Sequence, residues 1–390
     1  MSGEGSPACL ARQLAEAGRL GASWRDTFTR VDRGLFIPDR VWVRGEGGYH
    51  PVDRATEPDR WRALVHDDQA LVTQVEDYED NNAHDDSATA TPTALALVPS
   101  SSASMPRVVA LMLDQLAVTD GMTVLEAGTG TGYNAALLAA RLGDQNVVSV
   151  EMDPRLADTA RARLKDAGRT PTVITGDGDR GWPARAPYDR VIATYALHTV
   201  PYAFVEQTTP GGVIVLPWGT GLYNGVLLRL TVADDGTASG PVVGDCAFMW
   251  NRQEAPERDV MATVRATDAN DATAARTRLD PREVFGDENA AFSAGVLVPE
   301  CRYAVGHGPD GEFTVWLADR TTGSWASVDH VPGATGFDVR QHGPRRLWDE
   351  VESAYARWRR AGSPDRARYG LTVTPTGRRL WLDSPETPAP

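Results

Sequence analysis

The chain has little of what a disulfide scaffold or a metal centre requires. Its 390 residues include three cysteines, Cys9, Cys246 and Cys301, which are too widely spaced for a disulfide framework or a cysteine metal site. The seven histidines nowhere pair at metal-ligand spacing. We therefore expect no bound metal, and a protein that works in the reducing cytoplasm.

Long apolar runs and an excess of positive charge are also lacking. No segment approaches the ~20 apolar residues that span a bilayer, and none reads as a secretory signal. Thirty-nine basic against 53 acidic side chains give a formal net charge of −14. Since affinity for nucleic acid depends on clustered Lys and Arg, the sequence predicts a soluble protein with neither nucleic acid nor membrane as a partner.

What the chain does have is a glycine turn between two acid-ended apolar segments. The first apolar segment ends in Glu126, and the second, at 147–150, ends in Glu151. Three glycines follow the first acid at alternate positions: Gly128, Gly130 and Gly132. Glycine lets the backbone approach a ligand closely, and a carboxylate at the end of the second strand can accept hydrogen bonds from a ribose diol. The pattern predicts a nucleoside-containing cofactor.

The spacing of the turn favours one cofactor. Dinucleotide-binding turns read G-x-G-x-x-G, whereas this turn reads G-x-G-x-G and follows Glu126 by two residues. A carboxylate there would repel a pyrophosphate but suits the ammonium or sulfonium of S-adenosylmethionine. No G-K-S/T follows, which excludes a P-loop. S-adenosylmethionine is preferred over NAD, and a tight turn without any ligand is the remaining alternative.

Alternating strands and helices around this turn predict an α/β fold with a mostly parallel, Rossmann-like sheet covered by helices on both faces. Residues 101–250 would form this core, after a helical lead-in over 1–100 and before an α+β domain over 255–390. The stretch 76–103, first acidic and then rich in Ser, Thr and Ala, is predicted to be a mobile loop or a lid. Residues 294–298 are predicted to be a strand. The C-terminal tryptophans are predicted to be core, with a peptide-binding surface as the alternative.

The ordered set of motifs resembles the protein L-isoaspartyl O-methyltransferase family. The resemblance spans Val31 to Met249 and consists of six motifs in family order: a Ser-x-Pro helix start, VLEAGTGTGY, VVSVE, GDG, APYDRVI and PGGVIVLPWG. It implies that Ser104, in SSASMP, is the catalytic residue. It also implies that Glu126 and the glycines hold the methionine part of S-adenosylmethionine, Glu151 the ribose, and Asp177 with Gly178 the adenine edge. The implied cofactor-binding residues are Ser102, Glu126, Gly128, Thr129, Gly130, Glu151, Met152, Asp177 and Gly178.

Two departures from the family pattern suggest an altered substrate. Arg107 stands where the family has His or Tyr, and Ala196-Leu197-His198 stands where it has a small Ala-Ala-Pro run. Both places lie near the family's substrate, so Arg107 and His198 are candidate substrate-binding residues. A purely structural role is the alternative for His198. The family enzyme also ends soon after the segment matching 245–250, whereas this chain continues to residue 390.

The lead DDQALVTQ, the signature PSSSASMP and the long C-terminal tail resemble methyltransferases encoded beside ribosomal peptide maturation systems. Those that accompany ATP-grasp ligases are most similar, and relatives accompany lanthipeptides and lasso peptides. This resemblance implies methylation of an ordinary Asp in a modified, crosslinked precursor peptide, leading to an aspartimide or, after hydrolysis, to isoaspartate. The C-terminal domain would help to recognise the peptide. The alternatives are a general isoaspartyl repair enzyme and a non-catalytic scaffold with a cofactor fold.

Overall fold

A computed structural model describes residues 5–45, 48–78, 96–254, 260–268 and 271–389. By its internal contacts the chain divides into two units: unit 1 comprises Met1–Thr194 and Ala203–Val215, and unit 2 comprises Tyr195–Tyr202 and Leu216–Pro390. Residues 79–95 of the stretch 76–103, predicted as a mobile loop or a lid, lie outside the described residues. The predicted division at 1–100, 101–250 and 255–390 stays a prediction.

Unit 1 begins with helices and a small antiparallel sheet. Its elements are α1 (Pro7–Glu16), α2 (Arg25–Arg30), β1 (Arg40–Gly45), β2 (Gly48–Asp53), α3 (Pro58–Val65), β3 (Leu71–Tyr78) and β4 (Ala96–Ala103). Helix α1 starts where the Ser6 hydroxyl accepts a hydrogen bond from the Cys9 N–H, with proline in the first turn. The four strands are arranged in the order β2-β1-β3-β4. One face packs on a core that includes Val41, Val52 and Leu71.

Strand β4 corrects one sequence prediction. Residues 76–78 and 96–103, predicted as parts of a loop, belong to β3 and β4, which pair with each other. Val72 lies opposite Ser102, and Leu71 opposite Ala103. The Ser and Ala side chains have low strand propensity, so the sequence pattern does not indicate a strand here. The partner strand and burial of Ala103 in the core stabilise it instead.

The second part of unit 1 is the predicted parallel sheet. Its elements are α4 (Pro106–Leu116), β5 (Val124–Ala127), α5 (Tyr133–Leu142), β6 (Val147–Glu151), α6 (Pro154–Asp166), β7 (Thr172–Thr175), β8 (Tyr188–Ala193), α7 (Tyr202–Glu206) and β9 (Thr208–Gly219). Unit 1 holds α7 from Ala203 onward and β9 as far as Val215. The strand order is β7-β6-β5-β8-β9, and every pairing is parallel. All residues of β5 and β6 are buried. Because parallel strands end at one edge, the loops after β5, β6 and β7 come together there. The predicted α/β class is confirmed.

Unit 2 contains two antiparallel arrangements. Its elements are β10 (Asn224–Val232), β11 (Ala238–Asp245), α8 (Val260–Arg265), β12 (Thr273–Thr277), α9 (Pro281–Phe285), α10 (Glu288–Leu297), β13 (Arg302–His307), β14 (Phe313–Asp319), β15 (Ser324–His330), β16 (Phe337–His342), α11 (Leu347–Arg360), β17 (Tyr369–Thr374) and β18 (Gly377–Leu382). One arrangement has the order β10-β11-β17-β18, and the other is a five-stranded sheet, β12-β16-β15-β14-β13. Helices α10 and α11 share a core with the five-stranded sheet.

Helix α10 corrects a second prediction. Residues 294–298, expected as a strand, form the end of this helix and the residue after it. Asp287 caps the helix by accepting from the N–H groups of Asn289 and Ala290. Six residues of the helix are buried, so its sequence has no polar face to reveal a helical period.

The C-terminal tryptophans are mostly core, as predicted. Four of them are buried: Trp325, Trp348, Trp358 and Trp381. Trp316 is partly buried and packs beside Trp325 at 6.1 Å between ring centroids. Within the described ranges, no helix combines the length and hydropathy needed to cross a membrane.

Candidate functional site

The glycine turn after β5 folds back over the end of β6. The N–H groups of Gly128 and Thr129 donate to the Val150 carbonyl at 2.8 and 3.2 Å. Gly128, Gly130 and Gly132 have φ values of 94°, 54° and 97°. These left-handed conformations explain the glycines, since a side chain is strained there. A Cβ built on Gly130 meets nothing within 4 Å, so open space lies on that side of the turn.

Glu151, at the end of β6, holds the turn in place. Its two carboxylate oxygens accept from the N–H groups of Gly130 and Asp153, at 2.8 and 3.0 Å. The side chain is 7% exposed. A carboxylate oxygen can accept more than one hydrogen bond, so Glu151 can still accept from a ribose diol while it orders the backbone.

Glu126, at the end of β5, is fully buried. Its carboxylate accepts from the Asn134 amide at 2.7 Å and from the Ser149 hydroxyl, which itself lies 2.6 Å from the Thr129 hydroxyl. Burial raises the pKa of Glu126 to about 7, the two hydrogen bonds oppose that rise, and nearby Glu151 adds to it. The site therefore holds a carboxyl whose charge a neighbouring cation would stabilise.

The loop after β7 joins the same edge of the sheet. The Glu151 carbonyl accepts from the Gly176 N–H at 2.9 Å, which places Asp177 and Gly178 directly after this contact. Asp177 caps a short helical turn by accepting from the Asp179 N–H at 3.0 Å. Met152, the residue after Glu151, is 38% exposed, which is unusual for a large apolar side chain. An apolar surface beside these polar groups suits the ring of a nucleoside.

These residues fit S-adenosylmethionine. The buried carboxyl of Glu126, with its raised pKa, suits the positive charge of the cofactor, and the oriented carboxylate of Glu151 suits a ribose. Met152 and Asp177 follow β6 and β7, which end at the same edge of the sheet. When bound, the cofactor would supply the methyl group. The individual roles of Ser102, Thr129 and the other predicted contacts stay predictions.

Ser102, Ser104 and Arg107 lie together on the β4–α4 connection. Ser102 is in β4, Ser104 is the first residue beyond the strand, and Arg107 is the second residue of α4. Ser104 is half-buried. The backbone there is held by Arg33, which is 1% exposed and donates to the carbonyls of Ala103 and Ser104 at 3.2 and 3.0 Å. The proposed catalytic serine therefore stands on an anchored backbone.

Arg33 connects this segment to a second loop. Its guanidinium also donates to the carbonyls of Val65, Asp67 and Gln69, at 3.0, 3.3 and 3.0 Å. Burial lowers the pKa of Arg33 to about 10, which still leaves it charged at neutral pH. Asp68, in the same loop, accepts from the Arg107 N–H at 2.9 Å and lies 3.5 Å from its guanidinium.

His198 belongs to unit 2 and is packed there. Its ring stacks on Trp250 with 3.7 Å between centroids, and Nδ1 lies 3.3 Å from the Gly219 carbonyl. The N–H groups of His198 and Thr199 donate to Glu254 at 2.6 and 3.0 Å. Burial, with the charges of two arginines, lowers the pKa of His198 to about 4. A neutral imidazole can take part in substrate binding as a hydrogen-bonding group but not as a cation.

Sequence reasoning missed Arg33, Asn134 and Ser149. Ser149 carried a weak signal, since it is the one polar residue between valines in a buried strand. Asn134 follows the glycine turn by two residues, at the second position of α5. No sequence signal pointed to Arg33, because its acceptors lie 32 to 71 positions away along the chain.

A Rossmann-like parallel sheet, with a glycine turn between two strands that end in Glu126 and Glu151, defines an S-adenosylmethionine-dependent methyltransferase. The model of the family Protein-L-isoaspartate(D-aspartate) O-methyltransferase matches residues 71–253. The protein-L-isoaspartate O-methyltransferase of Thermococcus onnurineus is 40% identical over 148 residues, covering 37% of this chain and 67% of that protein. That of Hyperthermus butylicus is 36% identical over 169 residues, covering 39% of this chain and 70% of that protein.

The chain belongs to the protein-L-isoaspartate O-methyltransferase family and is an S-adenosylmethionine-dependent carboxyl O-methyltransferase. A solved structure described as protein-L-isoaspartate O-methyltransferase has the same fold, with a TM-score of 0.53 at 19% identity. The structural alignment covers 97% of this chain and 100% of the chain in that structure.

Proposed function

We propose that this methyltransferase modifies the side-chain carboxylate of an Asp in a ribosomally made, crosslinked peptide. An aspartimide would follow, or isoaspartate after hydrolysis. The observation behind the proposal is the exposure of Arg107, a residue that the resemblance places near the substrate. Its guanidinium side chain is 47% exposed and its contact with Asp68 is long, at 3.5 Å. An exposed arginine there can donate hydrogen bonds to carbonyl or carboxylate groups of a peptide in a way that the family's His or Tyr does not.

Methyl transfer to a carboxylate requires the protein mainly to position the two reacting groups. An Asp carboxylate, with an ordinary pKa near 4, is ionised at neutral pH, so no general base is needed. One carboxylate oxygen bonds to the methyl carbon as the carbon–sulfur bond breaks, giving a methyl ester and S-adenosylhomocysteine. Holding the two groups in line can lower the barrier by about 7–11 kcal/mol in favourable cases.

Ser104 is proposed to orient the acceptor carboxylate by donating a hydrogen bond, not to act as a nucleophile. Its backbone is anchored by Arg33, so its hydroxyl starts from a restrained position. After methylation, the next backbone nitrogen attacks the ester carbon, the carbon–oxygen bond breaks, and methoxide takes up the amide proton and leaves as methanol. That ring closure can proceed without further help from the protein.

General repair of isoaspartyl proteins is the second candidate. It is favoured by the relatives at 36–40% identity, all of which are described as isoaspartate methyltransferases. In that case the acceptor is the α-carboxylate of an isoaspartyl residue, and the same Ser104 would orient it.

One assay separates the two functions. We expect mass spectrometry of a crosslinked ribosomal peptide that contains an Asp to show the gain of one methyl group and then the loss of methanol. A plain isoaspartyl hexapeptide is assayed in parallel, and Ser104→Ala should lose turnover while keeping cofactor affinity. Efficient methylation of the hexapeptide, with no change of mass in the crosslinked peptide, would show a repair enzyme instead.

A further inference from the structure

The end of the glycine turn packs against the segment that contains Arg33. Tyr133, the first residue of α5, follows Gly132, whose φ of 97° ends the turn. The Tyr133 and Phe36 rings lie 5.9 Å apart between centroids, and a Cβ built on Gly132 would be 3.5 Å from the Phe36 ring. The Phe36 N–H donates to the Arg33 carbonyl at 3.0 Å. The glycine turn is therefore joined to the Arg33 segment by direct packing.

Tyr133 is buried beside the guanidinium of Arg33. Only 6% of the tyrosine is exposed, and Phe28 meets its ring edge-on, with 6.4 Å between centroids. Burial raises the pKa of the Tyr133 hydroxyl well above its usual range, and the charge of Arg33 opposes that rise. Burial likewise lowers the pKa of Arg33, and Tyr133 opposes this more strongly than Asp68 and Asp67 do. Each group is thus a main electrostatic neighbour of the other.

Arg33 and Tyr133 each keep a hydrogen-bonding group without a partner. The two Nη atoms of Arg33 donate to five carbonyls, but its Nε–H is buried and finds no acceptor among the residues that the structure describes. Within the same ranges the Tyr133 hydroxyl forms no hydrogen bond. A phenolic oxygen can accept from a guanidinium N–H, so the two groups are complementary. Since a buried donor without an acceptor is unfavourable, a small shift that joins them would be favoured.

The orientation of the Arg33 guanidinium determines how the Ser104 backbone is held. Nη2 of Arg33 donates to the carbonyls of Ala103 and Ser104, at 3.2 and 3.0 Å. A guanidinium is planar and rigid, so fixing its Nε also fixes the direction in which Nη2 points. A hydrogen bond between Nε–H and Tyr133 would therefore act on the backbone at Ser104. The chain of contacts from the glycine turn to the serine is continuous: Tyr133, then Arg33, then Ser104.

We propose that Tyr133 is a positioning residue for methyl transfer. Once the glycine turn holds its cofactor, the Tyr133 hydroxyl accepts a hydrogen bond from the Arg33 Nε–H, and Arg33 then fixes the Ser104 backbone. Packing does not explain the hydroxyl, since phenylalanine would fill the same space between Phe28 and Phe36. The inference rests on the proposed role of Ser104. It implies that the serine is fully placed only when the methyl donor is bound.

The test measures amide hydrogen exchange without turnover. The full chain is placed in deuterated buffer with and without saturating S-adenosylhomocysteine, and a proteolytic fragment that contains 103–105 is weighed by mass spectrometry. In the wild type we expect this ligand to slow exchange of the fragment at least about fivefold. Tyr133→Phe keeps the ring but loses the hydroxyl, so the slowing should be absent. The control Tyr188→Phe removes another buried hydroxyl, which donates to the Trp182 carbonyl at 2.7 Å, and should retain the slowing.

Calorimetric titration of the same variants separates positioning from cofactor binding. Because coupling between two sites is reciprocal, the affinity of Tyr133→Phe for S-adenosylhomocysteine should fall by no more than the factor by which exchange slows in the wild type. A much larger loss would make Tyr133 a cofactor-binding residue and overturn the proposal. Equal slowing in the wild type and Tyr133→Phe would overturn it as well, as would a wild type whose exchange the ligand does not change.

The proposed role of Ser104 can fail separately. If the ligand slows exchange in the wild type but not in Tyr133→Phe, while Ser104→Ala turns over at the wild-type rate, the link from the turn to this segment stands and the serine has no part in the reaction. Where both hold, kcat of Tyr133→Phe should fall several-fold for any peptide that the enzyme methylates, and Tyr188→Phe should keep it. Unchanged thermal unfolding of Tyr133→Phe confirms that the variant folds.

Discussion

At the scale of single residues, folding changes the acid–base chemistry of Glu126 in the candidate cofactor site. It is fully buried, and burial raises its pKa to about 7. The folded chain thus holds this proton more tightly than the unfolded chain does. The resulting stabilisation is complete at low pH and is lost as the pH rises through about 7.

We expect the affinity for S-adenosylmethionine to rise with pH through this range. The cation of the cofactor favours the ionised carboxylate, so binding below the pKa requires Glu126 to lose its proton. Calorimetric titration one pH unit below the pKa should give an affinity weaker by up to about tenfold than at high pH. S-adenosylhomocysteine has no sulfonium and should respond less, and Glu126→Gln should show no such dependence. A flat profile in the wild type would remove Glu126 from cofactor binding.

The geometry of residues close together in the sequence could be predicted, and contacts between distant residues could not. The turn glycines and Glu151 belong to a single strand–turn–helix–strand unit, so the pattern predicts the turn and its position against Glu151. Ser149 and Asn134 complete the surroundings of Glu126 only once β5, β6 and α5 have packed.

At the scale of elements, the predictions fail where a partner decides the structure. Strand β4 forms because β3 offers a ladder, although its Ser and Ala residues have low strand propensity. Helix α10 forms because Asp287 caps it and the surrounding core buries it, although AGVLV has the apolar run of a strand. The parallel strands were predicted correctly because burial on both faces makes them short apolar runs between turn residues.

Arg33 allows a prediction about how elements are held together. Its guanidinium donates to five carbonyls in the 65–69 loop and at the end of β4. Arg33→Met would leave buried carbonyls without donors and should destabilise the chain by about 3 kcal/mol or more in urea unfolding. Arg163 is the matched control, since it donates to one carbonyl, that of Phe36, at 2.7 Å. Arg163→Met should cost about 1 kcal/mol. Equal losses would show that Arg33 does not hold these segments together.

At the scale of the whole molecule, the net charge of −14 acts on any charged substrate before contact is made. Long-range attraction raises the rate of encounter for a basic peptide, and repulsion lowers it for an acidic one.

Salt should therefore change the use of basic and neutral peptides differently. Added salt shortens the distance over which charges act, from about 10 Å at 0.1 M to about 3 Å at 1 M. We expect kcat/KM for a lysine-flanked peptide substrate to fall several-fold over this range, mainly through KM, because association weakens while the methyl-transfer step is unchanged. A peptide with Gln in place of each Lys is the control and should show little change. If both peptides respond equally, salt acts on the protein's conformation, and electrostatic recruitment of the substrate is wrong.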